Sequence, residues 1–93
     1  MPTIVLPAAL RQYSGGVGSV DVAAADELDL AAVLDELDAA CPAIARRVRD
    51  EQGQLRRYVN IYIDGEDARR IGGLSAPVPA RAEILLLPSV AGG

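Results

Sequence analysis

Histidine, lysine, tryptophan and phenylalanine are absent from these 93 residues, and cysteine occurs once. Without histidine, the commonest general base near neutral pH and the commonest metal ligand are both missing. The lone Cys41 can build neither a zinc site nor an internal disulfide. It falls on the apolar stripe of a predicted helix beside Pro42, which suits a small buried hydrophobe better than a nucleophile. Its free thiol fits a reducing cytoplasm. Long hydrophobic runs are lacking too. No apolar stretch approaches the ~20 residues needed to span a bilayer, and no charged segment followed by an apolar one opens the chain. The expectation is a soluble cytoplasmic protein that is not an enzyme in its own right and holds no metal or cofactor.

Positive charge is also scarce. A net charge of -4 and a sequence pI near 4.6 argue against a nucleic-acid partner, whose phosphates require clustered cations. Arginines do occur in pairs, at Arg46-Arg47, Arg56-Arg57 and Arg69-Arg70, but no aromatic residues interleave with them as a stacking platform requires. These pairs read as solvated surface, and no membrane partner is expected either.

What the chain does have is an apolar content of 51%, enough for one compact core at this length. Thr3 to Leu6 reads as a first strand with Ile4 and Leu6 facing inward, ended by Pro7. Ser14-Gly15-Gly16-Val17-Gly18 reads as a turn, and Ser19 to Val22 alternates as a second strand burying Val20 and Val22. No Lys-Ser/Thr follows the glycines, so a phosphate loop is excluded in favour of a hairpin.

Leu30, Val33, Leu34, Leu37 and Cys41 then fall at helical spacing, with Asp26, Glu27 and Asp29 at the start, where acidic groups cap free amides. Asp35, Glu36 and Asp38 belong to its solvated side. Pro42 breaks the helix, and Ala43 to Val48 adds a short second piece with Ile44 inward. Gly53 to Leu55 reads as a loop. Tyr58 to Ile63 alternates strictly, with Val59, Ile61 and Ile63 on one face and Tyr58, Asn60 and Tyr62 on the other; Asp64-Gly65 supplies a turn. Gly72-Gly73 marks a bend, and Ala76-Pro77-Val78-Pro79 a connector unfit for an inner strand.

Glu83 to Leu87 is the last strand, with Ile84 and Leu86 inward and Pro88 ending it. Its nearly continuous hydrophobicity predicts a place inside the sheet. Strand, strand, helix, strand, irregular stretch and strand make an α+β chain on the β-grasp, ubiquitin-like plan: a mixed sheet of four to five strands crossed by one main helix. The expected division is a domain over residues 1–87 and a flexible tail over 88–93, which extended reaches about 20 Å. The tail ends Val90-Ala91-Gly92-Gly93. Glycine lacks a Cβ, so this terminus is thin enough to enter a narrow cleft.

Tyr58-Val59-Asn60-Ile61-Tyr62-Ile63-Asp64-Gly65-Glu66-Asp67-Ala68-Arg69 resembles the "F/Y-V-N-I-Y-V-N-x-E-D-x-R" segment of the MoaD/ThiS family of ubiquitin-like sulfur carriers. Gly72-Gly73-Leu74 resembles the family's "GGL", and Leu86-Leu87-Pro88-Ser89-Val90-Ala91-Gly92-Gly93 its closing "I-L-P-x-V-A-G-G". With the helix, the likeness covers essentially the whole chain. Length and motifs look most like the CysO-type subgroup, which carries sulfur for cysteine biosynthesis. Small subunits of molybdopterin synthase share the same tail and remain an alternative.

The resemblance implies that the Gly93 carboxylate is adenylated by an ATP-consuming, E1-like partner and converted to a thiocarboxylate, with Gly92, Ala91 and Val90 forming the thin approach. ATP is used by that partner, and this chain binds no cofactor. A second partner accepts the sulfur: a cysteine-synthase-like enzyme, or the molybdopterin synthase large subunit in the alternative. The resemblance also leaves open a ubiquitin-like modifier conjugated through Gly93. With Gly93 last, no processing protease is expected. Alternation turns Leu85 and Leu87 away from the core. Together with Pro88 and Tyr62 they are the expected partner-binding patch, with Tyr58 of matching parity.

Overall fold

A computed structural model describes residues 1–23 and 27–88 of the chain. In order, its elements are β1 (Thr3–Val5), a single turn α1 (Ala8–Arg11), β2 (Ser19–Asp21), β3 (Leu28–Asp29), α2 (Leu30–Ala40) and α3 (Pro42–Val48). Then come β4 (Val59–Ile63), β5 (Glu66–Asp67), 3-10 turns at Ala68–Arg70 and Gly73–Ser75, β6 (Pro77–Val78) and β7 (Glu83–Pro88).

Five strands form one mixed sheet in the order β2-β1-β7-β4-β5. β1 and β2 are the expected antiparallel hairpin, with Ile4 opposite Val20. β7 returns beside β1 in parallel, Ile4 opposite Ile84, and pairs antiparallel with β4 from Val59↔Pro88 to Ile63↔Ile84. The last strand is thus central, as its hydrophobicity implied. Pro88 is its final residue rather than the residue after it. Proline lacks an amide hydrogen, which a strand's last position can forgo.

The helix starts where an acceptor waits for it. Asp29 Oδ1 accepts from the Ala32 amide at 2.8 Å, and the Leu30 amide donates to the Ala76 carbonyl at 2.9 Å. Of the acidic residues expected at the helix start, Asp29 makes the capping bond and Asp26 lies outside the described residues. Ala76 is brought there by the Gly72-Gly73 bend. Gly72 has φ +126°, and a Cβ on it would sit 3.1 Å from the Ala76 nitrogen, so another residue would be both strained and crowded. The "GGL" segment therefore has a structural task.

β3 and β6 form a separate two-stranded ribbon, with Leu28 opposite Val78 and Asp29 opposite Pro77. The sequence reading made this second segment a connector; two rungs are too few to leave a periodic pattern. Leu55, read as loop, likewise makes an isolated bridge with Arg49.

Leu30, Val33, Leu34 and Leu37 of α2 share one buried cluster with Ile4, Leu6, Val22, Val59, Ile61, Ile63, Ile84 and Leu86. Ile44, Ala45 and Val48 add the buried side of α3. One expected core residue differs. Val20 is only partly buried, because β2 is an outer strand with a neighbour on one side. Cys41 caps the end of α2 and is half-buried against the core; its thiol donates to the Tyr13 carbonyl at 3.4 Å.

Candidate functional site

β7 carries the chain toward Gly93, so the site is built on its open face and far end. On the covered face Ile84 and Leu86 have no solvent exposure. On the other face the register lines up Val5, Leu85 and Tyr62 across three strands, with Leu87 one step further along, opposite Asn60. Leu85 and Tyr62 are therefore direct cross-strand neighbours, and Leu87 follows on the same side of the pleat. All three are half-buried rather than fully exposed. Side-by-side cross-strand neighbours shield each other's flanks, which makes the apolar stripe narrower than alternation alone suggests.

Pro88 has the parity of Ile84 and Leu86 rather than of Leu85 and Leu87; opposite the buried Val59, it ends β7 at a groove lined by Leu10, Tyr13, Arg47, Tyr58 and Val59. Tyr58 and Tyr62 do not share a patch. Tyr58, 53% exposed, precedes β4 and faces that groove, whereas Tyr62 lies toward the strand's other end beside Asp67, Arg70 and Ile71. Val90, Ala91, Gly92 and Gly93 lie outside the described residues.

The polar residues of the 58–69 segment have local structural work. Asp64, at φ 49°, and Gly65, at φ 85°, make the tight turn between β4 and β5. Asp64 Oδ1 also accepts from the Glu83 amide at 2.9 Å, tying this turn to the start of β7. Asp67 caps the following 3-10 turn by accepting from the Arg69 amide at 2.9 Å. Arg69 then reaches back to the Asn60 side chain at 3.4 Å and the Arg56 carbonyl at 2.8 Å. This segment sets the register of β4 against β7, and so the position from which the chain end departs.

Among the described residues, no group of three or more His, Cys, Asp or Glu side chains is placed to hold a metal. No helix is long and apolar enough to cross a membrane among them. Sequence reasoning missed Tyr13 and Arg47, which come together from α1's exit and α3 with the guanidinium carbon 4.0 Å from the ring centroid. Residues so far apart in the chain leave no local signal.

The sequence model of the ThiS family matches residues 4–93. The chain belongs to the ThiS family. Its relatives include the sulfur carrier protein CysO of Mycobacterium tuberculosis, 40% identical over 93 residues that span 98% of this chain and 97% of that one. A chain in the crystal structure of the Amycolatopsis orientalis BexX/CysO complex superposes with a TM-score of 0.83 at 35% identity, covering 100% of both chains. SAMP1 of Haloferax volcanii, a small archaeal modifier protein, superposes at 0.82 with 29% identity over 99% of this chain and 98% of that one. These likenesses carry the β-grasp assignment over the whole ThiS-family chain, and two of them name CysO.

Proposed function

We propose that this chain is a CysO-type sulfur carrier whose Gly93 carboxylate cycles between free acid, adenylate and thiocarboxylate, delivering sulfur for cysteine biosynthesis. The observation that carries this reading is the likeness to CysO over 98% of the chain, together with the family match that runs through residue 93. In this reading a Gly93 carboxylate oxygen attacks the α-phosphorus of ATP on an E1-like enzyme, and pyrophosphate leaves. Sulfide-level sulfur then attacks the acyl carbonyl, AMP leaves with the C–O bond's electron pair, and the resulting thiocarboxylate is the nucleophile offered to a sulfur-accepting enzyme of the cysteine-synthase kind.

Proton transfers belong to the partner enzymes in this scheme, so a chain without histidine suffices. Residues 1–88 are then the handle, and residues 89–93 the part that enters two active sites in turn, with Leu85, Leu87, Pro88 and Tyr62 as the apolar surface that both enzymes grip. A cytoplasmic location belongs to the proposal, since the cycle consumes ATP and Cys41 is a free thiol.

Intact-mass measurement of the chain from sulfur-replete cells tests it. A fraction should be heavier by one oxygen-to-sulfur exchange, mapping to the peptide that contains Gly93. Its absence in cells that hold the activating enzyme would overturn the reading.

The likeness to a small archaeal modifier protein favours one second reading, conjugation through Gly93 to amines of other proteins. The 93 residues contain no lysine, so conjugation would be single rather than chain-forming through side chains. Peptides with Gly93 joined to a target lysine in the same extracts would support it.

A further inference from the structure

Two adjoining open grooves share Tyr13, Arg47 and Tyr58 as their common wall. One runs along Arg46 and Arg56, and the other ends at Pro88, the last residue of β7. The arginines are held in place. Arg47 lies over the Tyr13 ring at 4.0 Å, and Arg56 Nε donates to the Arg46 carbonyl at 2.8 Å. Among the described residues no Asp or Glu lines either groove, and the ion pair found among them, Arg49–Asp35, does not include these three arginines. A chain of net charge -4 thus gathers three arginines along one groove, none of them ion-paired among the described residues, and the middle one, Arg47, also borders the groove that reaches the end of the last strand. The carboxylates Asp35, Asp38, Asp50 and Glu51 line neighbouring grooves that Arg46 and Arg56 also border, so Arg47 is the one of the three that shares no groove with a carboxylate among the described residues.

We propose that this basic, tyrosine-walled groove docks an acidic segment of the enzyme that adenylates Gly93, an inference that rests on the carrier reading above. Two observations select that occupant. The first is distance. The five residues beyond Pro88 extend at most about 17 Å, so any enzyme holding Gly93 in its active site must stand next to the groove. The second is charge. Neighbouring unpaired guanidinium groups repel one another in the free chain, and carboxylates on the arriving surface relieve that repulsion and steer the encounter. A nucleic-acid backbone would meet the same three cations but then the repulsion of a net negative chain. The apolar stripe of Leu85 and Leu87 and this groove flank the chain end from two sides, so one surface supplies contact area and the other orientation.

ATP–pyrophosphate exchange by the E1-like enzyme of the same organism, with the full-length chain as substrate, provides the test at low and high salt. Arg47→Glu should raise KM for the chain about tenfold at low salt, leave kcat within about twofold, and flatten the salt dependence. Arg81→Glu makes the same charge change in the turn before β7, at the opposite end of that strand, and should move KM by less than about twofold. Should Arg47→Glu lower the thermal midpoint, Arg47→Gln carries the test, with a KM rise of roughly threefold. An unchanged KM and salt slope at position 47, or an equal effect from Arg81→Glu, overturns the groove assignment while leaving the carrier reading intact. Failure of the unmodified chain to support exchange overturns the carrier reading, and the groove's assignment with it.

Discussion

The two faces of β7 present the same side chains to different fates. Ile84 and Leu86 disappear completely beneath α2 and its neighbours, while Leu85 and Leu87, their alternate partners, stay half-buried on a face that no helix covers among the described residues. A strand hydrophobic on both sides normally sits between two layers. Here there is one layer of helices, so the apolar surface on the open side exceeds what the isolated domain needs. The covered face answers for stability. The carrier reading assigns the open face to partners that must come close to the chain's end.

The largest expected effect strikes the covered face. Leu86→Ala should destabilise the domain by about 2–5 kcal/mol in denaturant titration, because it removes buried methyl groups and leaves a cavity at the centre of the sheet. A loss well under ~1 kcal/mol would erase the distinction between the faces.

Next comes the open face. Leu87→Asp should retain the folded circular-dichroism signal yet weaken binding to the activating and sulfur-accepting enzymes by ~1–3 kcal/mol, roughly tenfold to a hundredfold. Calorimetric titration against each enzyme reads this directly. Unfolding of the variant would instead make Leu87 part of the core.

The cover itself can be loosened from one end. Asp29→Ala removes the acceptor of the Ala32 amide and should cost about 1 kcal/mol of stability, with affinity for both enzymes unchanged. If affinity fell alongside stability, the helix layer and the open face would not be separable.

The smallest effect on folding is expected from deleting Gly92 and Gly93. The thermal midpoint should stay where it is, since exposed terminal residues add few buried contacts. Pyrophosphate exchange should vanish. A lowered midpoint would mean that the chain end contributes to the domain.

The parts of this architecture that were legible beforehand are those with one wet face and enough length to show a period. Residues 30–37 repeat at helical spacing and 59–63 alternate, because each covers the core with one side only. What escaped detection was either too short or too distributed. β3 and β6 are two residues each, and the proline in β6 argues against a strand until its partner is seen. Val20 has the pattern of a core residue but stands in an outer strand, a fact that belongs to sheet order and not to the local sequence.

At the candidate site, parity placed Leu85, Leu87 and Tyr62 on one face, yet it also put Tyr58 with them, and that residue turns toward Tyr13 and Arg47. The groove assembles positions 13, 47, 58 and 88, a relation that only the folded chain creates. Arg69 and Gly72, which help to carry the family resemblance, act on turns and register rather than on chemistry.

The central place of β7 has a mechanical side. Any enzyme that draws the chain's end into its active site pulls along the axis of this strand. Ladders to β1 on one flank and β4 on the other share the load, so the rungs are sheared together rather than unzipped one after another. An outer strand under the same tension would peel away from its single neighbour. In the carrier reading, the segment by which the domain would be handled is thus continuous with the central strand, which ladders hold on both flanks.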